Sequence, residues 1–98
     1  MTITRVFSVE IDPSLRDEFE DKFSSISANI VKNSAGCIKM VILQPTKWQP
    51  NRYAMISEWD DESSLISFAG KNWNVAVIPA EMEVYALEYS VDHYMSWG

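Results

Sequence analysis

The chain has one histidine, His93, close to its C-terminal end, and one cysteine, Cys37. An imidazole titrating near neutrality can act as a general base or hydrogen-bond a phenolic substrate, although a strand-end histidine can also bond locally or at an interface. A lone histidine cannot build a metal site, because four-ligand zinc needs partners and Cys37 is the other soft ligand. Arg5 lies on a mostly apolar strand face. There it needs an anionic partner or a route to solvent, so it either holds a substrate carboxylate or enolate or pairs with an acid. The Tyr53 hydroxyl is a second candidate for a proton step. Trp59, Phe68 and Trp73 can wall a pocket for a flat aromatic substrate, with Trp73 on a lid, or can simply pack. Phe7 shares a strand face with Arg5, and Tyr89 can turn its hydroxyl toward a polar ring. Asn72 can polarise a carbonyl beside Trp73 or sit in a turn. Asp60, Asp61 and Glu62 are better read as charge at a helix N-terminus than as catalytic carboxylates.

Positioning those side chains takes one domain spanning residues 1–98. Hydrophobic residues make up 47% and aromatic residues 12%, enough for a core, although one this small gains from oligomerisation. The formal net charge of −6 disfavours nucleic acid and anionic membrane as partners. A single cysteine forbids an internal disulfide and fits a reducing cytoplasm. The start, MTITRVFSVEID, lacks the pattern of a signal peptide, and no run reaches the ~18 apolar residues of a membrane span. There is no glycine-rich phosphate loop, no metal-ligand spacing and no nucleophile elbow, so no cofactor is expected.

The hydrophobic pattern predicts a strand over 3–11 with Ile3, Phe7, Val9 and Ile11 on one face. Asp12-Pro13 starts a helix, and Leu15, Phe19, Phe23, Ile26 and Ile30 form its apolar stripe. Gly36 ends that segment. Residues 37–44 form a second strand, apolar on both faces, and 52–59 a third, with a loop at 45–51. A second helix starts at Asp60–Ser63 and breaks at Gly70. A further turn fits 72–77, and Pro79 stops it. Residues 82–94 form a long fourth strand, with Tyr85, Leu87, Tyr89, Val91 and His93 on one face.

The order strand, helix, strand, strand, helix, strand predicts an α+β ferredoxin-like plait: a four-stranded antiparallel sheet with both helices on one side. The other sheet face is expected to carry Val6, one of the sets Val41/Leu43 or Ile38/Met40/Ile42, and Val84 with Ala86. A bare apolar face of that size marks an association surface, so a two-fold homodimer through the sheet is expected, loop 45–51 being the alternative cover.

Several motifs occur in order: Ala35-Gly36-Cys37 before strand two, Arg52-Tyr53 opening strand three, Ser57-Glu58-Trp59-Asp60 running into helix two. They continue with Phe68-Ala69-Gly70, Ala76-Val77 with Pro79, and Val91-Asp92-His93-Tyr94. This set resembles the antibiotic biosynthesis monooxygenase domain family, whose members are dimeric α+β barrels. The resemblance implies a small cofactor-independent oxygenase acting on an aromatic, quinol or polyketide-like molecule. A non-enzymatic dimer that holds a small apolar or aromatic ligand is the alternative. The family's haem-degrading branch uses an Asn on strand one, a Trp on helix two and a His just after it. Those places hold Phe7, Phe68 and Ile78, so haem chemistry is not expected. The site residues carried forward are His93, Tyr53 and Arg5 for chemistry, with Phe7, Trp59, Phe68, Asn72, Trp73 and Tyr89 contacting substrate.

Overall fold

The computed structural model describes residues 2–75, 78 and 80–97. Strands β1 (Ile3–Ile11), β2 (Cys37–Leu43), β3 (Arg52–Trp59) and β4 (Ala86–Met95) form one antiparallel sheet in the order β2-β3-β1-β4. Helices α1 (Arg16–Lys22), α2 (Ala28–Lys32) and α3 (Glu62–Ala69) complete the ferredoxin-like plait. Asp12 accepts hydrogen bonds from the backbone N–H and hydroxyl of Ser14, and Asp61 caps α3 at Ser64 N–H. No helix among the described residues is long and apolar enough to cross a membrane.

Residues directly opposite on antiparallel strands share a face, so the register sorts the side chains into rows. The inward rows are Trp59–Ile3–Met95, Met40–Ser57–Arg5–His93, Ile42–Met55–Phe7–Val91 and Tyr53–Val9–Tyr89. Three of these rows are essentially apolar or aromatic, and the second holds a serine, an arginine and a histidine side by side. Opposite them, the outward rows include Val41–Ile56–Val6–Asp92 and Leu43–Ala54–Ser8–Ser90. That outer face carries an apolar patch of Val41, Leu43, Ile56, Ala54 and Val6, flanked by the polar rows Lys39–Glu58–Thr4 and Arg52–Glu10–Glu88. Val41 and Leu43 stay 41% and 43% exposed, so the single chain leaves one face of β2 uncovered.

Four expectations are corrected. The predicted helical stripe gives way after Phe23, because a π turn at Phe23–Ser27 joins α1 to α2, with Ala28 N–H bonded to Phe23 O. The wider turn delays the rotation by about one residue. Ala28 and Val31 therefore turn inward, while Ile26 and Ile30 are exposed. The fourth strand starts at Ala86 and not at 82, since Ala80–Tyr85 is a 3₁₀ segment that buries Met82 and Tyr85. Finally, Val84 and Ala86 do not join the outer face. Val84 is exposed on the 3₁₀ segment, and Ala86 pairs with Ile11 on the inner side. A register shift at Glu10/Ile11 skips Leu87, which is exposed and not inward-facing. A matching shift between Cys37 and Lys39 leaves Ile38 exposed. The Ala76-Val77 and Pro79 expectations lie outside the described residues.

A polar latch ties α1 to β3 at the far end of the sheet. The Arg16 guanidinium donates to Tyr53 Oη at 2.8 Å, Pro50 O at 3.0 Å and Asn51 Oδ1 at 2.6 Å. Tyr53 Oη in turn donates to Glu20. Burial is the first cause pushing the Tyr53 phenol up, and the bond to Glu20 adds to it.

Gly36 and Gly70 have φ of +86° and +88°. A Cβ at Gly36 would collide with Ser64, whereas one at Gly70 meets open space. Gly36→Ala should therefore destabilise the fold by about 2 kcal/mol or more, from strain plus overpacking, and Gly70→Ala by about 1–2 kcal/mol from strain alone. Urea unfolding of both variants checks the order; equal losses would contradict it.

Candidate functional site

A cavity of about 110 Å³ lies between the inward sheet rows and the helices. Its walls are Phe7 and Val9 of β1, Met55 of β3, Phe19, Phe23 and Val31 of the continuous α1–π–α2 helical stretch, Phe68 of α3 and Met82. The π turn brings Phe19, Phe23, Ser27 and Val31, at a spacing of four, to the same side. Arg5, Ser27 and Ser57 supply the polar side chains among its lining residues.

Arg5 is 7% exposed. Its Nη1 donates to the backbone O of Trp73 at 2.8 Å and to His93 Nε2 at 3.0 Å, which uses both protons on that nitrogen. Its Cζ sits 6.0 Å from the centroid of the Phe68 ring. Among the described residues no Asp or Glu side chain bonds to it, and burial pushes the guanidinium below its ordinary value. Nε and Nη2 have no hydrogen-bond partner among the described residues.

An Nε2 that accepts from Arg5 carries no proton, which assigns the proton to Nδ1 and makes the ring neutral. Burial first, then the Arg5 charge, pushes His93 below the usual imidazole range, against a smaller pull from Asp92. The Trp73 ring meets His93 edge-on at 4.6 Å.

The structure gathers several expected residues and separates others. Arg5, Phe7 and Phe68 line the cavity. His93 and Trp73 hold Arg5 from the side and line a second depression with Ile3, Glu62, Tyr94 and Met95. Trp59 is fully buried and packs on Phe68 at 4.9 Å, one layer behind the wall. Tyr89 stacks on Phe7 at 6.4 Å and is outside the lining. Tyr53 stands in the latch, two rows from Arg5 and away from the lining. Asn72 is exposed, and its backbone O accepts from Val75 N–H in a turn. Ser57, Met55, Phe19 and Phe23 were not among the expected site residues. The period-two pattern of β3 already turned Tyr53, Met55, Ser57 and Trp59 to one side, but the register that sets Ser57 against Arg5 has no signature in one sequence.

Phe7, Phe68 and Ile78 all line this one cavity. No group of three or more His, Cys, Asp or Glu residues able to hold a metal occurs among the described residues.

Comparison with known proteins places the fold. A protein of Pseudomonas aeruginosa superposes with a TM-score of 0.75 at 15% identity, over 99% of this chain and 95% of that one. The cofactor-independent oxygenase SnoaB of Streptomyces nogalater, in a mutant form, gives 0.70 at 15% identity, over 97% and 92%. A heme-degrading protein of Mycobacterium tuberculosis gives 0.65 at 21% identity, over the full length of both chains. At these identities the likeness is one of fold. No curated protein sequence matches the chain. The model of the family described as antibiotic biosynthesis monooxygenase matches residues 2–71, from β1 through α3. A match over that much of the chain shows that it belongs to the antibiotic biosynthesis monooxygenase family.

Proposed function

We propose that the cavity binds a single-ring aromatic compound as its oxyanion and orients it for reaction with molecular oxygen. The observation that supports this is Arg5, a buried cation beside an apolar cavity with no acidic side chain to neutralise it. Such a charge is costly to desolvate unless an anion joins it. The aromatic walls suit a flat ring, and a cavity of about 110 Å³ compares with the ~150 Å³ that holds benzene. This favours one ring over a polycyclic substrate.

A phenolate is electron-rich enough to supply the electrons itself. Its para carbon forms a C–O bond to oxygen and gives a hydroperoxide. That carbon then loses its proton, the O–O bond breaks, and hydroxide takes up a proton and leaves as water. Phenol plus oxygen thus becomes quinone plus water, in balance and without an outside reductant. The protein's part is to hold the anion against Arg5, exclude water and fix the ring. His93 acts through Arg5 as a positioning residue, since its Nε2 lone pair is already engaged. That engagement also favours a second reading, a binding protein that holds the anion without turning it over. Oxygen uptake over a panel of monocyclic phenols and hydroquinones separates the two.

A two-fold copy packed on the outer face belongs to this proposal, supported by the outward stripe of exposed Val41 and Leu43 beside half-buried Val6 and Ile56. Sedimentation velocity at micromolar concentration should give the mass of two chains. The mass of one chain would remove the dimer.

Arg5→Gln should weaken benzoate binding, read by tryptophan quenching, at least tenfold, because an ionic hydrogen bond contributes about 1.5–3 kcal/mol. Wild-type affinity in that variant would end the reading.

The pH dependence follows from the lowered His93 pKa. Between about 6.5 and the folded value, the unfolded chain binds more protons, so stability should fall as pH drops through that window. Protonation also sets two cations together at the Arg5–His93 contact, which strengthens the pull on an anion, so benzoate affinity should rise as pH drops through the same window. His93→Gln, whose amide oxygen can accept from Arg5, should keep affinity at neutral pH and flatten the profile. An unflattened profile would assign the titration to another group.

A further inference from the structure

We propose that Ser57 is the second donor of a two-point clamp, and that the cavity therefore prefers a ring carrying two adjacent acceptor oxygens, of benzoate or catecholate type, over a ring carrying one. This rests on the reading of Arg5 as an anion site. Ser57 is 2% exposed, lines the cavity and stands directly opposite Arg5 in the sheet register. Its Oγ accepts from Trp59 Nε1 at 3.0 Å. A hydroxyl has one proton and two lone pairs. With one lone pair taken by the indole N–H and no acceptor for the proton among the described residues, Ser57 can donate toward the cavity.

Arg5 is constrained in a comparable way. Nη1 is used by Trp73 and His93, which leaves Nε and Nη2 as its remaining donors. Cβ atoms of directly opposed residues in an antiparallel pair stand about 5 Å apart. The two oxygens of a carboxylate or an ortho-diol can each take one hydrogen bond of about 2.8 Å from side chains at that spacing. A lone phenolate oxygen satisfies Arg5 and leaves the Ser57 proton unmatched. A buried donor left without a partner costs affinity, and this gives discrimination between ligands of nearly equal size.

The test is calorimetric titration of benzoate, catechol and phenol into the wild-type protein, Ser57→Ala, Ser57→Thr and Arg5→Gln. Ser57→Ala should weaken benzoate and catechol about tenfold and phenol less than twofold, as expected for one hydrogen bond. Ser57→Thr, which keeps the hydroxyl, should recover most of the benzoate-to-phenol ratio. If Ser57→Ala does not fold, Ser57→Cys, a weak donor of similar shape, gives the same comparison. An unchanged ratio in Ser57→Ala, whether affinities fall together or not at all, means that Ser57 serves only to hold Trp59, and it overturns the clamp while leaving Arg5 as the anion site. No binding of any of the three rings to the wild-type protein, or undiminished binding to Arg5→Gln, overturns both.

Discussion

One buried positive charge organises the inward face of this sheet. Arg5 occupies a position that every neighbouring row gives to apolar or aromatic side chains, and burying a guanidinium there is unfavourable unless its donors are met. The chain meets two of them with a backbone carbonyl at Trp73 and a neutral imidazole at His93, neither of them anionic. The first ties the turn after α3 to the middle of β1. The second fixes how β4 lies against β1, since His93 must stand opposite Arg5. The charge thus joins three distant parts of the sequence, with no counter-ion bonded to it among the described residues.

The other arginine of the helix–sheet layer shows what a closed arrangement looks like. Arg16 reaches two carbonyl oxygens and the Tyr53 hydroxyl, and that hydroxyl passes the contact on to Glu20. The network spends three of the five guanidinium N–H groups and holds α1 to the β2–β3 loop. Arg5, two rows away, has donors left over and a cavity next to them. Two chemically similar groups on the same layer therefore differ in what they offer a small molecule, and the difference comes from the cavity that Arg5 lines.

Much of the architecture was legible because it rests on local chemistry. Asp12, Asp61, Gly36 and Gly70 mark element ends through capping and positive φ, and β1 and β3 alternate cleanly. The misreadings share one physical cause, a single extra residue that shifts the phase of a periodic element. The π turn after Phe23 moved the helical stripe off Ile26 and Ile30. The bulge at Leu87 broke the expected alternation of β4, and the 3₁₀ segment delayed its start. Such insertions cost little locally and are decided by packing, so propensity does not reveal them. In the site, Arg5 was legible as a charge in the wrong surroundings, and Phe7 and Phe68 as its aromatic neighbours. Ser57 was not, because its importance comes from facing Arg5 across a register that only the assembled sheet defines.

The π turn carries a consequence for how this scaffold can change. A regular helix through the same stretch would turn Ile26 toward the sheet in place of Ser27 and put more aliphatic bulk against the hollow, which Ile30 already borders. The surplus residue wound into the spiral is what sets Ser27 and Val31 against the hollow. Gain or loss of a single codon there would re-line the hollow while leaving the register of the four strands as it is.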